Sequence, residues 1–359
     1  MSLGTIRVRD LVRGARARGA TDVHLGGGER PALRIAGRLV ALDGPPVVEA
    51  DVRAYLAAAL SAEQLARLDA RGSADGAAAR GEDGGPFRVH AYRHAGGVRV
   101  ALRLLAESVP SLEQLGLPAV VATLAQRPAG LVLFTGPTGS GKTTALAALV
   151  DRINRSAERN ILTIEDPVEY VHAPVRSLIT HCEIGRDVSD YADALRGFLR
   201  ADPDVIVIGE LRDRETIAAA LTAAETGHLV FATLHTNDAA QTVDRIVDAF
   251  PAEAHTQVRS QLAAVLAGIV ALRLVARHDG AGRRAAAEIL IGTDAVRALI
   301  REGKTHQLRN TIVTGRAAGM QTLETHLSEL VVRGEVALAE ARAVTSRPSD
   351  VRTFERGAP

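Results

Sequence analysis

The sequence has no tryptophan, six phenylalanines, four tyrosines and a single cysteine, Cys182. With so few rings, the core has to come from alanine, valine, leucine and isoleucine, and little is left to stack on nucleic-acid bases. One cysteine excludes an intramolecular disulfide and every zinc site that needs two or more thiolates. A dominant charge is also missing. Lys and Arg number 43 against 42 Asp and Glu, a formal net charge of +1, which argues against a nucleic-acid binder driven by counterion release. No uncharged stretch approaches the ~18 residues of a membrane span. The apolar run Leu262–Leu272 is short and is stopped by Arg273. The amino-terminal stretch mixes arginines with apolar residues and lacks a signal-peptide core. The expectation is a cytoplasmic protein without direct membrane insertion, meeting membranes through partners.

What is present is globular material. Hydrophobic residues make up 47% and charged residues 24%, which supports a sizeable core and excludes wholesale disorder. At ~150 residues per domain, the length of 359 residues suggests two or three domains. Residues 5–18 read as a short amphipathic helix, followed by strand-like segments at Asp22–Leu25, Ala32–Ile35 and Arg38–Leu42, with Gly37 as a turn. Asp51–Leu68 reads as one helix, Gly72–Gly85 as a long loop, and Phe87–Tyr92 with Val98–Leu105 as a hairpin. Residues 1–105 are therefore expected to form a small α+β domain and 106–118 a linker. From 119 to 343 the pattern alternates strand and helix, which implies an α/β domain with a parallel sheet. Its part beyond about 252 is expected to be mostly helical, and 344–359 a flexible tail.

Gly136-Pro137-Thr138-Gly139-Ser140-Gly141-Lys142-Thr143 fits G-x-x-x-x-G-K-[ST], between a buried strand and a helix. The glycines let backbone N–H groups turn inward around phosphate oxygens, and the helix aims its positive end at the same anion. Lys142 supplies a charge to the β- and γ-phosphates, Thr143 a hydroxyl to Mg²⁺, and Thr144 extends the loop's polar lining. ATP with Mg²⁺ is the expected ligand pair.

Asp204-Val205-Ile206-Val207-Ile208-Gly209-Glu210 is an apolar strand ending in an acid. Glu210 falls at the carboxyl end of the sheet, where a carboxylate can orient or deprotonate an attacking water. Ile164-Glu165-Asp166-Pro167-Val168-Glu169 places three acids after another strand, making Glu165 and Glu169 candidates for polarising water, and Glu165 a candidate Mg²⁺ ligand, directly or through water. A solvated acidic turn is the plainer alternative. His228 and His235 bracket the strand Leu229–Leu234. Residues seven apart on a strand point to opposite faces, so the pair is not a chelate. His235 is placed to sense the γ-phosphate, and His228 is a weaker candidate for the nucleotide or for a structural role.

In this order the four segments resemble the hexameric ATPases of type II and type IV secretion systems: a Walker A loop, an aspartate box, an atypical Walker B with Gly209 where an Asp is general, and a histidine box over Thr226–Thr236. Within that superfamily the chain is most similar to the retraction ATPases of type IV pili, through Ala20–Leu25, Arg245–Pro251, Gly303–Gln307 and Gly319–Leu323. The resemblance implies a PAS-like amino-terminal domain, a RecA-like ATPase domain, a homohexamer and ATP between the domains. It further implies that Arg88 and Arg103 reach the phosphates, that Ala295–Glu302 serves retraction, and that the partners are an inner-membrane platform protein and, indirectly, pilins. Arg93 and Arg99 are weaker candidates, and Arg196 and Arg200 are expected to share a helix face. Leu272 stands where the family usually has Gln. Three alternatives stay open: an extension or secretion ATPase, whose relatives usually carry a four-cysteine zinc insertion that Cys182 cannot supply; a nucleotide-gated scaffold with weak activity; and a nucleic-acid translocase.

Overall fold

The computed structural model describes residues 8–35, 38–78, 87–105, 108–280 and 282–353. The chain divides into two compact units. Met1–Val109 forms the first together with Glu165–His172 and His181–Asp187, and Pro110–Ile164, Ala173–Thr180 and Val188–Pro359 form the second.

In the first unit, β1 (Ala20–Gly26), β2 (Ala32–Ile35), β3 (Arg38–Ala41), β4 (Ser73–Ala78), β5 (Phe87–His94) and β6 (Gly97–Leu104) make one antiparallel sheet, ordered β3-β2-β1-β6-β5-β4. Phe87, Val89 and Ala91 on β5 and Val98, Val100 and Leu102 on β6 are buried at every second position, as one covered sheet face requires. Helices α1 (Val8–Ala17), α2 (Glu49–Ala59) and α3 (Ala62–Arg71) supply Val12, Leu56 and Leu68 to the same core.

Two expectations fail in this unit. The helix read over Asp51–Leu68 is broken at Leu60–Ser61. Ser61 accepts the Gln64 N–H at 3.2 Å while Gln64 accepts the Ser61 N–H at 2.8 Å, a capping box that starts a new helix. The loop read over Gly72–Gly85 contains β4, paired along its length with β5. Its alanine and glycine content hides the strand, because ladder pairing overrides weak β-propensity. Residues 79–86, and the turn expected at Gly37, lie outside the described residues.

The second unit is built on β7 (Gly130–Thr135), β8 (Asn160–Glu165), β9 (Leu178–Glu183), β10 (Val205–Ile208), β11 (Leu229–Leu234), β12 (Leu266–Ala276) and β13 (Arg283–Ile291), ordered β13-β12-β7-β11-β10-β8-β9. Pairings from β12 through β7, β11 and β10 to β8 are parallel, whereas β13 runs antiparallel to β12. Every residue of β7, β10 and β11 is buried, so helices cover both faces. Those helices are α4 (Leu112–Leu115), α5 (Ala119–Leu124), α6 (Lys142–Ser156), α7 (Tyr191–Phe198), α8 (Arg214–Glu225), α9 (Ala239–Asp248), α10 (His255–Val265), α11 (Asp294–Arg301), α12 (Leu308–Thr314), α13 (Leu323–Val332) and α14 (Leu338–Ala343). None of the described helices is long and apolar enough to cross a membrane.

Helices make up more than half of the stretch from 252 to 343, as expected, but the β12–β13 hairpin, which the pattern does not disclose, also lies within it. A continuous apolar run such as Leu266–Leu272 has no period that separates a buried strand from a buried helix. The expected linker contains α4, with Ser111 and Gln114 as its capping box. The expected tail is partly placed: Val351 is buried with Leu327 and Leu330, and the Arg352 N–H donates to Ser328. Residues 354–359 lie outside the described residues. Arg200 falls beyond the end of α7, so it shares no helix face with Arg196, which pairs with Asp193.

Gly292, just after β13, has no room for a side chain. A Cβ there would stand 1.9 Å from the carbonyl oxygen of Leu266, which is backbone and cannot step aside. Gly292→Ala is expected to destabilise the second unit by about 3 kcal/mol. Thermal unfolding of the purified protein measures this, and an unchanged midpoint would refute the close packing of that corner.

Candidate active site

β7, β10 and β11 are parallel and in register, Ile208 beside Ala232 and Leu234 beside Thr135. Their carboxyl ends therefore lie along one edge of the sheet, where β7 runs into the glycine-rich loop, β10 reaches Glu210 after Gly209, and β11 is followed by His235. The loop Gly136–Gly141 leaves β7 with Gly136, Gly139 and Gly141 at φ of +141°, +76° and +91°. At Gly136 a Cβ would also meet the Leu272 carbonyl oxygen at 2.5 Å. Gly141 precedes α6 without any side-chain cap, so the first turn of α6 presents its N–H groups to an anion rather than to its own chain. The Ser140 hydroxyl is buried with no hydrogen-bond partner, an orphan that a phosphate oxygen would satisfy. These features fit a phosphate group.

Lys142 is buried and curls back, its Nζ donating to the carbonyls of Gly136 at 2.7 Å and Pro137 at 3.1 Å. The same Nζ lies 3.5 Å from His235 Nδ1 at the end of β11. His235 Nε2 in turn lies 3.3 Å from Glu210 Oε1, just beyond β10. Glu210 Oε2 accepts from Arg212 Nε at 2.8 Å, and the Thr233 hydroxyl donates to the Gly209 carbonyl. Loop lysine, histidine and carboxylate thus form one continuous polar chain across three strand ends. Among the described residues no group of three or more His, Cys, Asp or Glu side chains could hold a metal by itself. Thr143, in the first turn of α6, is the loop hydroxyl that would hold a Mg²⁺ beside the phosphates.

His228 does not join this chain. It sits before the other end of β11, where Nδ1 approaches the Ala223 carbonyl at 2.9 Å and the Thr226 hydroxyl at 3.1 Å. The six-residue strand between the two histidines is about 20 Å long, which separates their environments.

The other candidates belong to the first unit, where Arg93 Nη1 donates to the Asp69 backbone carbonyl at 3.1 Å and the rest have ionisable side-chain partners. Arg88 is ion-paired with Glu169. Arg103 Nε donates to Asp22 Oδ1 at 2.9 Å. Burial pushes the Asp22 carboxyl up, but hydrogen bonds from Thr21 and Arg103 outweigh it and hold the group below its usual range. Arg99 pairs with Glu29. Glu165 Oε1 lies 3.7 Å from His181 Nδ1. Glu183 is buried against this segment and accepts the Val168 N–H at 3.2 Å, and burial pushes its carboxyl above the usual value. The sequence reading did not find Glu183, His181, Arg212 or Thr233. Only Arg212 carried a signal, its spacing of two from Glu210 beyond a strand end.

In Ala295–Glu302, α11 buries Val296 and Ile300 and is capped by Thr293. Leu272 is buried on β12, and nothing in the structure explains why leucine stands there.

The chain matches the Type II/IV secretion system protein family over residues 9–357. It is 41% identical over 349 residues to the type IV pilus retractation ATPase PilT of Pseudomonas aeruginosa, covering 96% of this chain and 99% of that one. To a twitching motility protein of Neisseria gonorrhoeae it is 50% identical over 256 residues, 71% of this chain and 68% of the other. The crystal structure of the pilus retraction motor PilT with bound ADP superposes with a TM-score of 0.88 at 41% identity, covering 96% of this chain and 98% of that chain.

Proposed function

Because the chain belongs to the type II/IV secretion system protein family, we propose that it hydrolyses ATP to power retraction of a type IV pilus. The observation that carries this reading is the end-to-end match to the Pseudomonas aeruginosa retractation ATPase. It is supported by the chain of Lys142, His235 and Glu210 at the strand ends.

The loop N–H groups and Lys142 hold the β- and γ-phosphates, and Lys142 gives up its bonds to the Gly136 and Pro137 carbonyls to do so. Mg²⁺, when bound beside Thr143, neutralises charge on those phosphates. Glu210 orients the attacking water and takes its proton, while the hydrogen bond from Arg212 keeps the carboxylate aimed. His235 bridges Lys142 and Glu210, so a change at the γ-phosphate is felt at the base. The working form is a homohexameric ring at the inner face of the cytoplasmic membrane. It acts on an inner-membrane platform protein and through it on pilins.

Deleting the gene in a piliated host is expected to leave cells with excess surface pili and no twitching, both restored by the wild-type copy. Pilus counts by electron microscopy and a subsurface motility assay measure this. Loss of pili on deletion would overturn retraction in favour of extension.

A further inference from the structure

The segment that follows β11 leaves the sheet at His235 and enters α9 at Ala239. Contacts to α9 hold part of it: the Thr236 and Thr242 hydroxyls meet at 2.7 Å, the Asn237 N–H donates to Gln241 Oε1 at 3.3 Å, and Asp238 accepts the Gln241 N–H at 2.8 Å. Its remaining fixings come from the β12–β13 hairpin. Arg273 on β12 donates through Nη1 to the Leu272 carbonyl at 2.9 Å. Its Nη2 donates to the Asn237 backbone carbonyl at 3.3 Å and to the Asn237 side-chain oxygen at 2.9 Å. Glu288 on β13, opposite Ala271 in the ladder, accepts the Ala239 N–H at 2.9 Å. Strand alternation puts Ala271 and Arg273 on one face of β12 and Leu272 and Leu274 on the other. Leu274 reaches to 3.6 Å from the Cβ position of Gly141, so Leu272 and Leu274 face the phosphate loop. Arg273 and Glu288 therefore grip the segment from the sheet face that points away from the loop.

Packing leaves one side of this segment open. A cavity of about 410 Å³ opens beside it, lined by Asn237, Asp238, Gln241, Arg273, Glu288 and Arg309 among others. Where atoms are missing on one side, hydrogen bonds set position. Arg273 is half-buried, and among the described residues no carboxylate lies within ion-pair distance of it. A guanidinium in that situation needs acceptors, and the three it finds tie one strand end to one loop. Glu288 is nine-tenths buried, and burial lifts its carboxyl to about 7. Its neighbours Asp238, Arg309 and Glu324 pull that value in opposing directions.

We propose that Arg273 and Glu288 are positioning residues for ATP turnover, fixing the segment Thr236–Asp238 so that His235 stays between Lys142 and Glu210. This rests on the reading of His235 given above. Released from Arg273, Asn237 can move into the cavity and draw His235 away from Glu210.

The test is steady-state kinetics on the purified full chain, with ADP affinity measured separately. Arg273→Ala is expected to lower kcat by about 100-fold, the scale of a 1 Å misplacement, with ADP affinity and the unfolding midpoint unchanged. Combined with His235→Ala, it is expected to add nothing to the loss from His235→Ala alone. Glu288→Gln keeps an acceptor for the Ala239 N–H and is expected to retain kcat, whereas Glu288→Leu is expected to lose it. Wild-type kcat in Arg273→Ala overturns the proposal. So does a parallel loss of ADP affinity, or a further loss in the double variant. If His235→Ala alone keeps wild-type kcat, the reading of His235 fails and the proposal falls with it.

Discussion

Glu210→Gln is expected to bind ATP as the wild type does and to turn it over about a hundred- to ten-thousandfold more slowly. The substitution is nearly isosteric, and an amide oxygen still accepts from Arg212 Nε, which lies 2.8 Å from the carboxylate in the native protein. What disappears is the ability to take a proton. General-base catalysis contributes about 10² to 10⁴ in rate, and among the described residues no second carboxylate pairs with His235 to replace Glu210. His235 Nε2 faces Glu210 Oε1 at 3.3 Å. An amide oxygen can keep that contact if the ring carries its proton on Nε2, so the phosphate side of the site should be little disturbed. The experiment is phosphate release under saturating ATP, beside equilibrium binding of a non-hydrolysable analogue. Wild-type release in the variant would remove Glu210 from the chemistry. Cells carrying the variant in place of the wild type should be piliated and non-twitching, like the deletion.

That much of this site could be read from sequence has a physical reason. The phosphate loop and His235 follow a short apolar strand directly and Glu210 follows one after a single glycine, and a parallel sheet must bring the carboxyl ends of its strands to one edge. Three local patterns and one topological rule therefore specify a three-dimensional cluster. Arg273 and Glu288 defeat the same approach. They sit inside β12 and β13 on long apolar runs, and their partners Asn237 and Ala239 are 36 and 49 residues away. No local spacing records such a pairing. The failed fold expectations share that character. β4 is alanine- and glycine-rich and is a strand only because β5 lies beside it, and β12 carries no period that distinguishes it from a helix. The break between α2 and α3, by contrast, was local. Ser61 followed by Gln64 at the third position is a start signal inside a run whose hydrophobic period reads straight through it.

Lys142→Ala is expected to weaken ATP binding by roughly a hundred- to several-hundredfold and to reduce turnover to a small residual rate. An ammonium at ~4 Å from a phosphate charge contributes about 4 kcal/mol at an effective dielectric near 20, and each ~1.4 kcal/mol is a factor of ten in affinity. Part of that attraction is offset. Before nucleotide binds, Lys142 already donates to the carbonyls of Gly136 and Pro137, and exchanging those bonds for phosphate oxygens lowers the net gain, which puts the expected loss below the full Coulomb figure. The lysine is buried, so water screens it less than it would a surface cation. ADP lacks the γ-phosphate, so its affinity should fall by less than that of ATP, and the ratio of the two losses reports how much of the Lys142 charge is spent on the γ-phosphate. Titrating both nucleotides into wild type and variant measures that ratio directly. Equal losses would place Lys142 on the β-phosphate alone. Unchanged affinities would show that the loop N–H groups and the α6 amino terminus hold the nucleotide without it. The Lys142–His235 contact at 3.5 Å adds a second expectation for the same variant. Without the ammonium, His235 loses the group that ties it to the phosphate loop. Adding His235→Ala to Lys142→Ala should then cost little further turnover, although His235→Ala alone is damaging.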